Sequence, residues 1–269
     1  MEYVVCDIHG EKELYEYGLK KVGFDKEKDH LYVIGDVIDR GKDGIKLLSE
    51  FMSNPSVDLI LGNHEYMMLN SVDPEGSIAL IGDKSRIWTD YNGGSKTYSQ
   101  WVNLLRKERL EILSFLRKCY ISKTVMVQDT EGKEHPYILT HSAYDEDLND
   151  LTYDEAVAEF GLEAVESHVW NSIYRTGDTK GIDNYFKRIN DEQVTFITGH
   201  VPVQKARLFL HQDKDFGNLT PLYLENRMLD IDGGGAWGKQ RGMMNGLIFY
   251  NMTTREAVPV SFYEMRKNK

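Results

Sequence analysis

The chain of 269 residues is poor in cysteine, in positive charge and in long apolar runs. Its two cysteines, Cys6 and Cys119, are too few for a disulfide framework or a thiolate metal cage. Cys6 lies inside an apolar run, and both read as reduced, buried thiols. Nowhere do eighteen apolar residues follow one another, so no membrane-spanning helix is expected. The first residues, MEYVVCDIHG, enter a strand-like run without a basic n-region, and the expected compartment is the cytoplasm. Lys and Arg number 32 against 43 Asp and Glu, a net charge of −11, which argues against a general nucleic-acid or anionic-membrane binder. A small phosphorylated substrate is not excluded, because a local site can oppose the global charge. Repeats, low-complexity tracts and linkers are also lacking. The chain therefore reads as one domain over residues 1–269, with an insertion around 73–118.

What is present is one dense stretch, Leu31 to Gly41, which reads LYVIGDVIDRG. Leu31 to Ile34 is apolar and partly β-branched, the pattern of a buried strand. It stops at Gly35, and Asp36, Asp39 and Arg40 follow within one turn. A buried strand with such an ending presents those groups at the carboxyl edge of its sheet, where open α/β sheets usually carry their sites.

The rest of the chain repeats this grammar. Tyr3 to Cys6 is strand-like, and Leu14, Gly18, Leu19 and Val22 then recur at helical spacing. Asp43 can cap a helix through Ile45, Leu48 and Phe51, which Asn54-Pro55 ends. Val57 to Leu61 leads into Gly62, Asn63, His64 and Glu65. Strand, helix, strand, helix, strand predicts parallel α/β structure. Asp73 to Asn92 is irregular and reads as an insertion over the site. Asn92-Gly93-Gly94 signals a turn, and Thr97 opens a long helix predicted to run to Arg117. Tyr120 to Gln128 and Pro136 to Thr140 read as a hairpin, Tyr153 to Trp170 as a helix, and Val194 to Thr198 as a strand. Short strand-like runs follow, from Leu222 to Phe262.

Recurrence is the strongest signal. Five apolar strands each stop at a residue able to bind metal: Asp7 with His9, Asp36, Asn63, His141 and His200. Such endings are common singly, as turn formers. Five in succession, all Asp, Asn or His, point to a pair of divalent cations. Ions about 3.5–4 Å apart repel one another, and a shared carboxylate offsets that repulsion. Asp36 suits the bridge; Asp7 and His9 would complete one ion's ligands, and Asn63, His141 and His200 the other's. Oxygen and nitrogen donors without thiolate favour Mn²⁺, Fe or Zn²⁺, and the histidines argue against Ca²⁺. The neutral amide of Asn63 leaves the site positive enough to bind phosphate, and water on such ions loses a proton near neutral pH.

Asp7-Ile8-His9-Gly10, Gly35-Asp36-Val37-Ile38-Asp39-Arg40-Gly41 and Gly62-Asn63-His64-Glu65 resemble the three signature blocks of the phosphoprotein phosphatase family of calcineurin-like metallophosphoesterases. His141 and Gly199-His200 resemble its two later ligand blocks. Asn92-Gly93-Gly94 with Thr97, and Trp170 with Arg175, look like its bacterial branch of serine/threonine phosphatases and diadenosine tetraphosphatases. The resemblance runs from Asp7 to about Gly235 and implies an α/β fold. That fold is a sandwich of two mixed β-sheets flanked by helices, with metals at the strand carboxyl ends. It implies His64 as the general acid, Asp39 as the residue that orients it, and Arg40 as a phosphate clamp. A second arginine is expected late in the chain. Arg175 is the candidate, with Arg188 and Arg207 as alternatives.

The function implied is phosphomonoester hydrolysis by attack of a metal-bridging hydroxide, with protein Ser/Thr phosphate as the leading substrate. Symmetrical hydrolysis of diadenosine tetraphosphate is the alternative. A non-catalytic phosphoprotein-binding module is a third reading, and the presence of both His64 and Asp39 weighs against it. Glu65 reads as a residue that holds its loop by hydrogen bonds, and Asp232 as structural. His30, His135, His168 and His211 read as surface or structural. Tyr91, Tyr144 and Trp170 are candidates for the leaving-group side.

Overall fold

A computed structural model of the chain describes residues 1–142, 144–172, 174, 194–212, 218–224, 227–238 and 244–267. Strands β1 (Glu2–Cys6), β2 (His30–Ile34) and β3 (Val57–Ile60) lie parallel, linked by helices α1 (Lys12–Val22) and α2 (Gly44–Ser53), and β3 leads into helix α3 (Asn63–Leu69). Strands β9 (Gly246–Asn251) and β10 (Glu256–Ser261) extend this sheet antiparallel, in the order β10-β9-β1-β2-β3. The second sheet runs β4-β5-β6-β8-β7. It comprises β4 (Ser122–Gln128), β5 (Glu134–Thr140), β6 (Thr195–Thr198), β7 (Leu222–Leu224) and β8 (Met228–Asp230). Both sheets are mixed, and helices flank them, as the resemblance implied.

Side chains in a strand alternate between its two faces, and both faces of the first sheet are buried. Tyr3 and Val5 of β1, with Leu31 and Val33 of β2, pack beneath the helices with Leu14, Leu48 and Phe51. Val4, Cys6, Tyr32 and Ile34 point the other way and meet Tyr137, Leu139, Phe196 and Ile197 of the second sheet. The continuous apolar runs of β1 and β2 serve these two cores at once. Cys6 and Cys119 are free and buried, as expected. Among the described residues, no helix is long and apolar enough to cross a membrane.

Two local expectations need correction. The helix predicted from Thr97 to Arg117 is two helices, α4 (Ser95–Trp101) and α5 (Arg106–Arg117). Leu105 between them is extended (φ −67°, ψ 151°), and the Glu108 carboxylate accepts its N–H at 2.6 Å, a capping interaction that starts α5 afresh. Arg109 reaches back to the Leu104 carbonyl at 2.6 Å and occupies the break. Asp43 stands at the start of α2 but makes no side-chain cap there; its carboxylate pairs with Lys46 at 2.8 Å. Helix α6 (Tyr153–Trp170) does form, capped by Thr152, with a non-helical Gly161 inside it.

His168, on α6, is buried, and its Nε2 lies 3.3 Å from the hydroxyl of Thr140 on β5. Burial pushes its pKa down from the ordinary 6.5 to about 4. Between those values the unfolded chain binds a proton that the folded chain does not. Stability is therefore fully present above pH 6.5 and falls as pH drops towards 4, by roughly 3 kcal/mol for this residue. Urea midpoints of the wild type and His168→Gln across that range should diverge, the variant losing the acid-side slope that His168 supplies.

Candidate metal centre

Strands β1, β2 and β3 run parallel in the first sheet and β5 and β6 in the second, and the residues that follow their carboxyl ends meet in one cluster. Asp7 and His141 follow those ends directly, Asp36 and His200 by two residues and Asn63 by three, and His9 follows Asp7 by two. The turns that deliver them are tight. Asp7, His9, Asp36, Asp39, Arg40 and His200 all have positive φ, between 46° and 72°. Non-glycine residues enter that left-handed region at a cost of about 1–3 kcal/mol each, and such residues gather at functional sites. Gly35 has φ +68°, and a Cβ there would lie 2.5 Å from Gly62 Cα and 2.6 Å from His141 Nδ1. A Cβ on Gly62 would lie 2.4 Å from Asp36 Oδ1. Both glycines are therefore required for the strands to close on the site.

Asp36 is the centre of the cluster. His9 Nε2 is 3.5 Å and His64 Nε2 3.7 Å from its Oδ2, while His141 Nε2 is 3.4 Å from its Oδ1. Asp7 Oδ1 lies 3.8 Å from His9 Nε2. The Asn63 amide oxygen accepts from His141 Nε2 at 2.9 Å and His200 Nδ1 at 3.0 Å. Ligand atoms of His9, Asp36 and His64, and of Asp36, His141 and His200, lie within 4.8 Å of one another in each group. All six residues predicted as metal ligands thus converge, with Asp36 common to both groups.

The residues fit a pair of cations in a further respect. His9 Nδ1 donates to the Ile38 carbonyl at 3.1 Å and His141 Nδ1 to the Ile34 carbonyl at 3.1 Å. A ligand histidine is commonly held this way through its other nitrogen, which aims the Nε2 lone pair at the metal. Charge is balanced as a metal site requires. Burial would raise Asp36, but His141, His64 and His9 outweigh it and hold the carboxyl well below its usual range. Burial keeps His9 far below 6.5 and His200 at about 3, so both present neutral nitrogens. Burial opposes charge on His141, yet Asp36 and Asp7 prevail and lift it to about 10.

Glu65, fully buried, braces the base of the site. Its carboxylate accepts the N–H groups of Asp36 (2.8 Å), Val37 (2.8 Å), Ile38 (3.3 Å) and Gly62 (3.1 Å). One side chain from the first turn of α3, the helix that follows β3, thereby fixes the second strand's loop. Asp232 is buried and accepts from Gly234 N, a turn contact.

Beside the cluster, His64 Nδ1 donates to Asp39 Oδ2 at 2.6 Å. Arg40 is exposed and reaches over the mouth, Nη1 at 3.3 Å from His9 Nε2 and Nη2 at 3.2 Å from His64 Nε2. Trp170 meets His200 edge-on at 5.9 Å, and Tyr144 packs against Phe196. Tyr91, 83% exposed, ends a π-turn, Ile87–Tyr91. Arg175 and Arg188 lie outside the described residues. Arg207, the other alternative, is buried and donates to the carbonyls of Asn218, Thr220 and Pro221, so it fastens that segment.

Two residues at the site had no such role in the sequence: Trp88 was unmarked, and Thr97 stood only as a helix start beside the glycine turn. Trp88 and Thr97 both bond Asp39, at 2.8 and 2.6 Å. Their signal was the glycine pair between them. A Cβ on Gly93 would lie 2.8 Å from Arg40 Cγ, and one on Gly94 2.5 Å from Trp88 Nε1.

A family model described as calcineurin-like phosphoesterase matches residues 3–225. The "Serine/threonine-protein phosphatase 2" of Salmonella typhimurium is 27% identical over 211 residues, spanning 78% of this chain and 84% of that one. The symmetrical bis(5'-nucleosyl)-tetraphosphatase of Buchnera aphidicola is 35% identical over 68 residues, 25% of either chain. Among solved structures, a protein serine/threonine phosphatase from Saccharomyces cerevisiae aligns with a TM-score of 0.56 at 12% identity, over 92% of this chain and 71% of that one. At that identity the likeness shows the fold.

With His141 as a ligand, the role the sequence predicts, a cation would displace the proton that Asp36 and Asp7 favour on its imidazole. Titrating chelator-treated protein with Mn²⁺ at pH 7 should release about one proton for this residue. Calorimetry in two buffers of different ionisation enthalpy measures the release, and His141→Asn should remove it.

Proposed function

The chain belongs to the calcineurin-like phosphoesterase family of metal-dependent hydrolases, and we propose that it is a two-metal phosphomonoesterase acting on phosphoserine and phosphothreonine in proteins. The observation that carries this reading is the convergence of His9, His64 and His141 on the buried Asp36, with Arg40 spanning the mouth. Asp7, His9 and Asp36 would hold one divalent cation; Asp36, Asn63, His141 and His200 would hold the other. Such a pair, when bound, polarises a phosphoryl oxygen and makes water nucleophilic near neutral pH. The oxygen and nitrogen donors suit Mn²⁺, with Fe and Zn²⁺ as the other fits.

The remaining steps fall to the chain's own groups. Arg40 grips phosphate oxygens with its planar fork and holds the phosphorus over the cluster. Arg175 is our candidate for a second grip. His64 gives a proton to the departing oxygen from Nε2, because its Nδ1–H is committed to Asp39 Oδ2. Burial opposes charge on His64, but Asp36 and the Asp39 hydrogen bond outweigh it and raise its pKa above the ordinary value, which favours the proton-bearing form a donor needs. A proton donor is needed because the oxygen of a serine or threonine leaves poorly as an anion.

The protein-phosphate reading is supported by the Salmonella relative, which matches over most of both chains. Hydrolysis of dinucleoside tetraphosphates is the second reading, favoured by the shorter match to the Buchnera protein.

Asp36→Asn should lose bound metal and activity together, read by elemental analysis and turnover on the same preparation. His64→Asn should keep the metal and lower kcat on alkyl phosphates by about 10²–10⁴-fold. Parallel assays with Mn²⁺, one on a phosphothreonine peptide and one on diadenosine tetraphosphate, distinguish the substrates. A higher kcat/KM on the peptide is expected; the reverse would transfer the assignment to the second reading.

A further inference from the structure

We propose that Trp88 and Thr97, both from the region read as an insertion, are positioning residues that set the Asp39–His64 pair. The inference rests on the reading of His64 as general acid. Asp39 is wholly buried, and its two oxygens receive three donors. Oδ2 accepts from His64 Nδ1 at 2.6 Å and from Trp88 Nε1 at 2.8 Å. Oδ1 accepts from the Thr97 hydroxyl at 2.6 Å, and that same hydroxyl accepts the Asp39 N–H at 2.9 Å.

The last carbon–carbon torsion of an aspartate is soft and broad, so packing alone does not hold the carboxylate plane. Donors on both oxygens do. Thr97 closes a ring with the Asp39 main chain, which stabilises the left-handed backbone of that residue (φ 70°). Trp88 shares with His64 a single oxygen, so the indole fixes where that oxygen sits and hence where the imidazole edge points. The other edge, Nε2, is the one facing Asp36 and Arg40.

The local chain is built to deliver these donors. Trp88 lies in the π-turn Ile87–Tyr91, is fully buried, and meets Tyr98 edge-on at 6.4 Å. Gly94 N donates back to the Trp88 carbonyl at 3.0 Å, and the missing Cβ of Gly94 makes room for the indole nitrogen. Gly93 packs on Arg40, whose N–H it accepts at 3.3 Å, and Lys96 donates to the Arg40 carbonyl. Residues 88–97 therefore grip Asp39 and Arg40 from outside the metal cluster.

The test is a leaving-group series on the Mn²⁺-loaded protein with phenyl phosphate, a poor leaving group, and 2,4-dinitrophenyl phosphate, a good one. Trp88→Phe and Thr97→Val should lower kcat on phenyl phosphate by about 10- to 100-fold, the usual effect of removing a group that orients a ligand or catalyst. KM, metal content and the rate on the dinitrophenyl ester should stay within about twofold. Thr97→Ser, which keeps the hydroxyl, should restore the phenyl phosphate rate. In a His64→Asn background, Trp88→Phe should have no further effect, because the indole acts through the imidazole. Equal losses on both esters, or no loss on either, would overturn the proposal. Should Trp88→Phe fail to fold, the Thr97→Val and Thr97→Ser pair decides alone. If His64→Asn itself shows no leaving-group dependence, the general-acid reading fails; if His64→Asn shows it and the Trp88 and Thr97 variants do not, only the positioning role fails.

Discussion

The buried carboxylate of Asp36 is the constraint that the rest of the structure answers. An isolated charge of that kind inside a protein is costly, and it persists only where opposite charge and donors surround it. Here three histidines approach its oxygens from three different segments, and the His64 N–H donates to Oδ1 at 3.0 Å. Three parallel strands must therefore end side by side and turn inwards at once. The parallel order of β1, β2 and β3 supplies the first condition, and left-handed turns supply the second.

Those turns have to be held. Six site residues carry positive φ without being glycine, so the strain across the cluster is several kcal/mol in aggregate. The compensation is a set of short, buried bonds that link one turn to the next. Glu65 takes four main-chain N–H groups from two loops. His9 N–H donates to the Asp36 carbonyl at 2.8 Å and Gly10 N–H to the Val37 carbonyl at 2.7 Å. Asp7 Oδ2 receives the His200 N–H at 3.0 Å, which joins the first strand of one sheet to the second sheet. The metal cluster and the packing of the two sheets are in this sense one arrangement. Loosening either sheet would release the turns that aim the ligands.

This logic explains what was legible beforehand. A strand buried on both faces reads as an unbroken apolar run, so its end stands out when an Asp, Asn or His follows. Asp7, Asp36, Asn63, His141 and His200 were visible for that reason, and the motif blocks supplied His64, Asp39 and Arg40. Trp88 and Thr97 were not, because their function depends on tertiary placement. An aromatic in an irregular stretch gives no periodic signal, and a threonine read as a helix start gives no sign of its bond to a distant aspartate. The break in the helix after Trp101 was hidden for a related reason. Leu104 and Leu105 continue the apolar spacing, while the Glu108 cap and the Arg109 contact that end it are visible only in three dimensions. Arg175 lies outside the described residues, so the second phosphate grip is carried by sequence resemblance alone.

Charge adds a constraint on what can enter. The chain carries a net −11, which repels phosphate at long range, yet that field is screened beyond about 8–10 Å at physiological ionic strength. Only cations near the mouth act on a substrate that has already arrived, and Arg40 is exposed there, its carbonyl held by Lys96. A phosphoserine side chain brings about two negative charges on an otherwise variable peptide, whereas a tetraphosphate bridge concentrates about four in one short segment. The approach penalty is larger for the second, and it grows as ionic strength falls. The single phosphate of the proposed phosphoprotein substrate is therefore opposed less by the net charge than a tetraphosphate bridge would be.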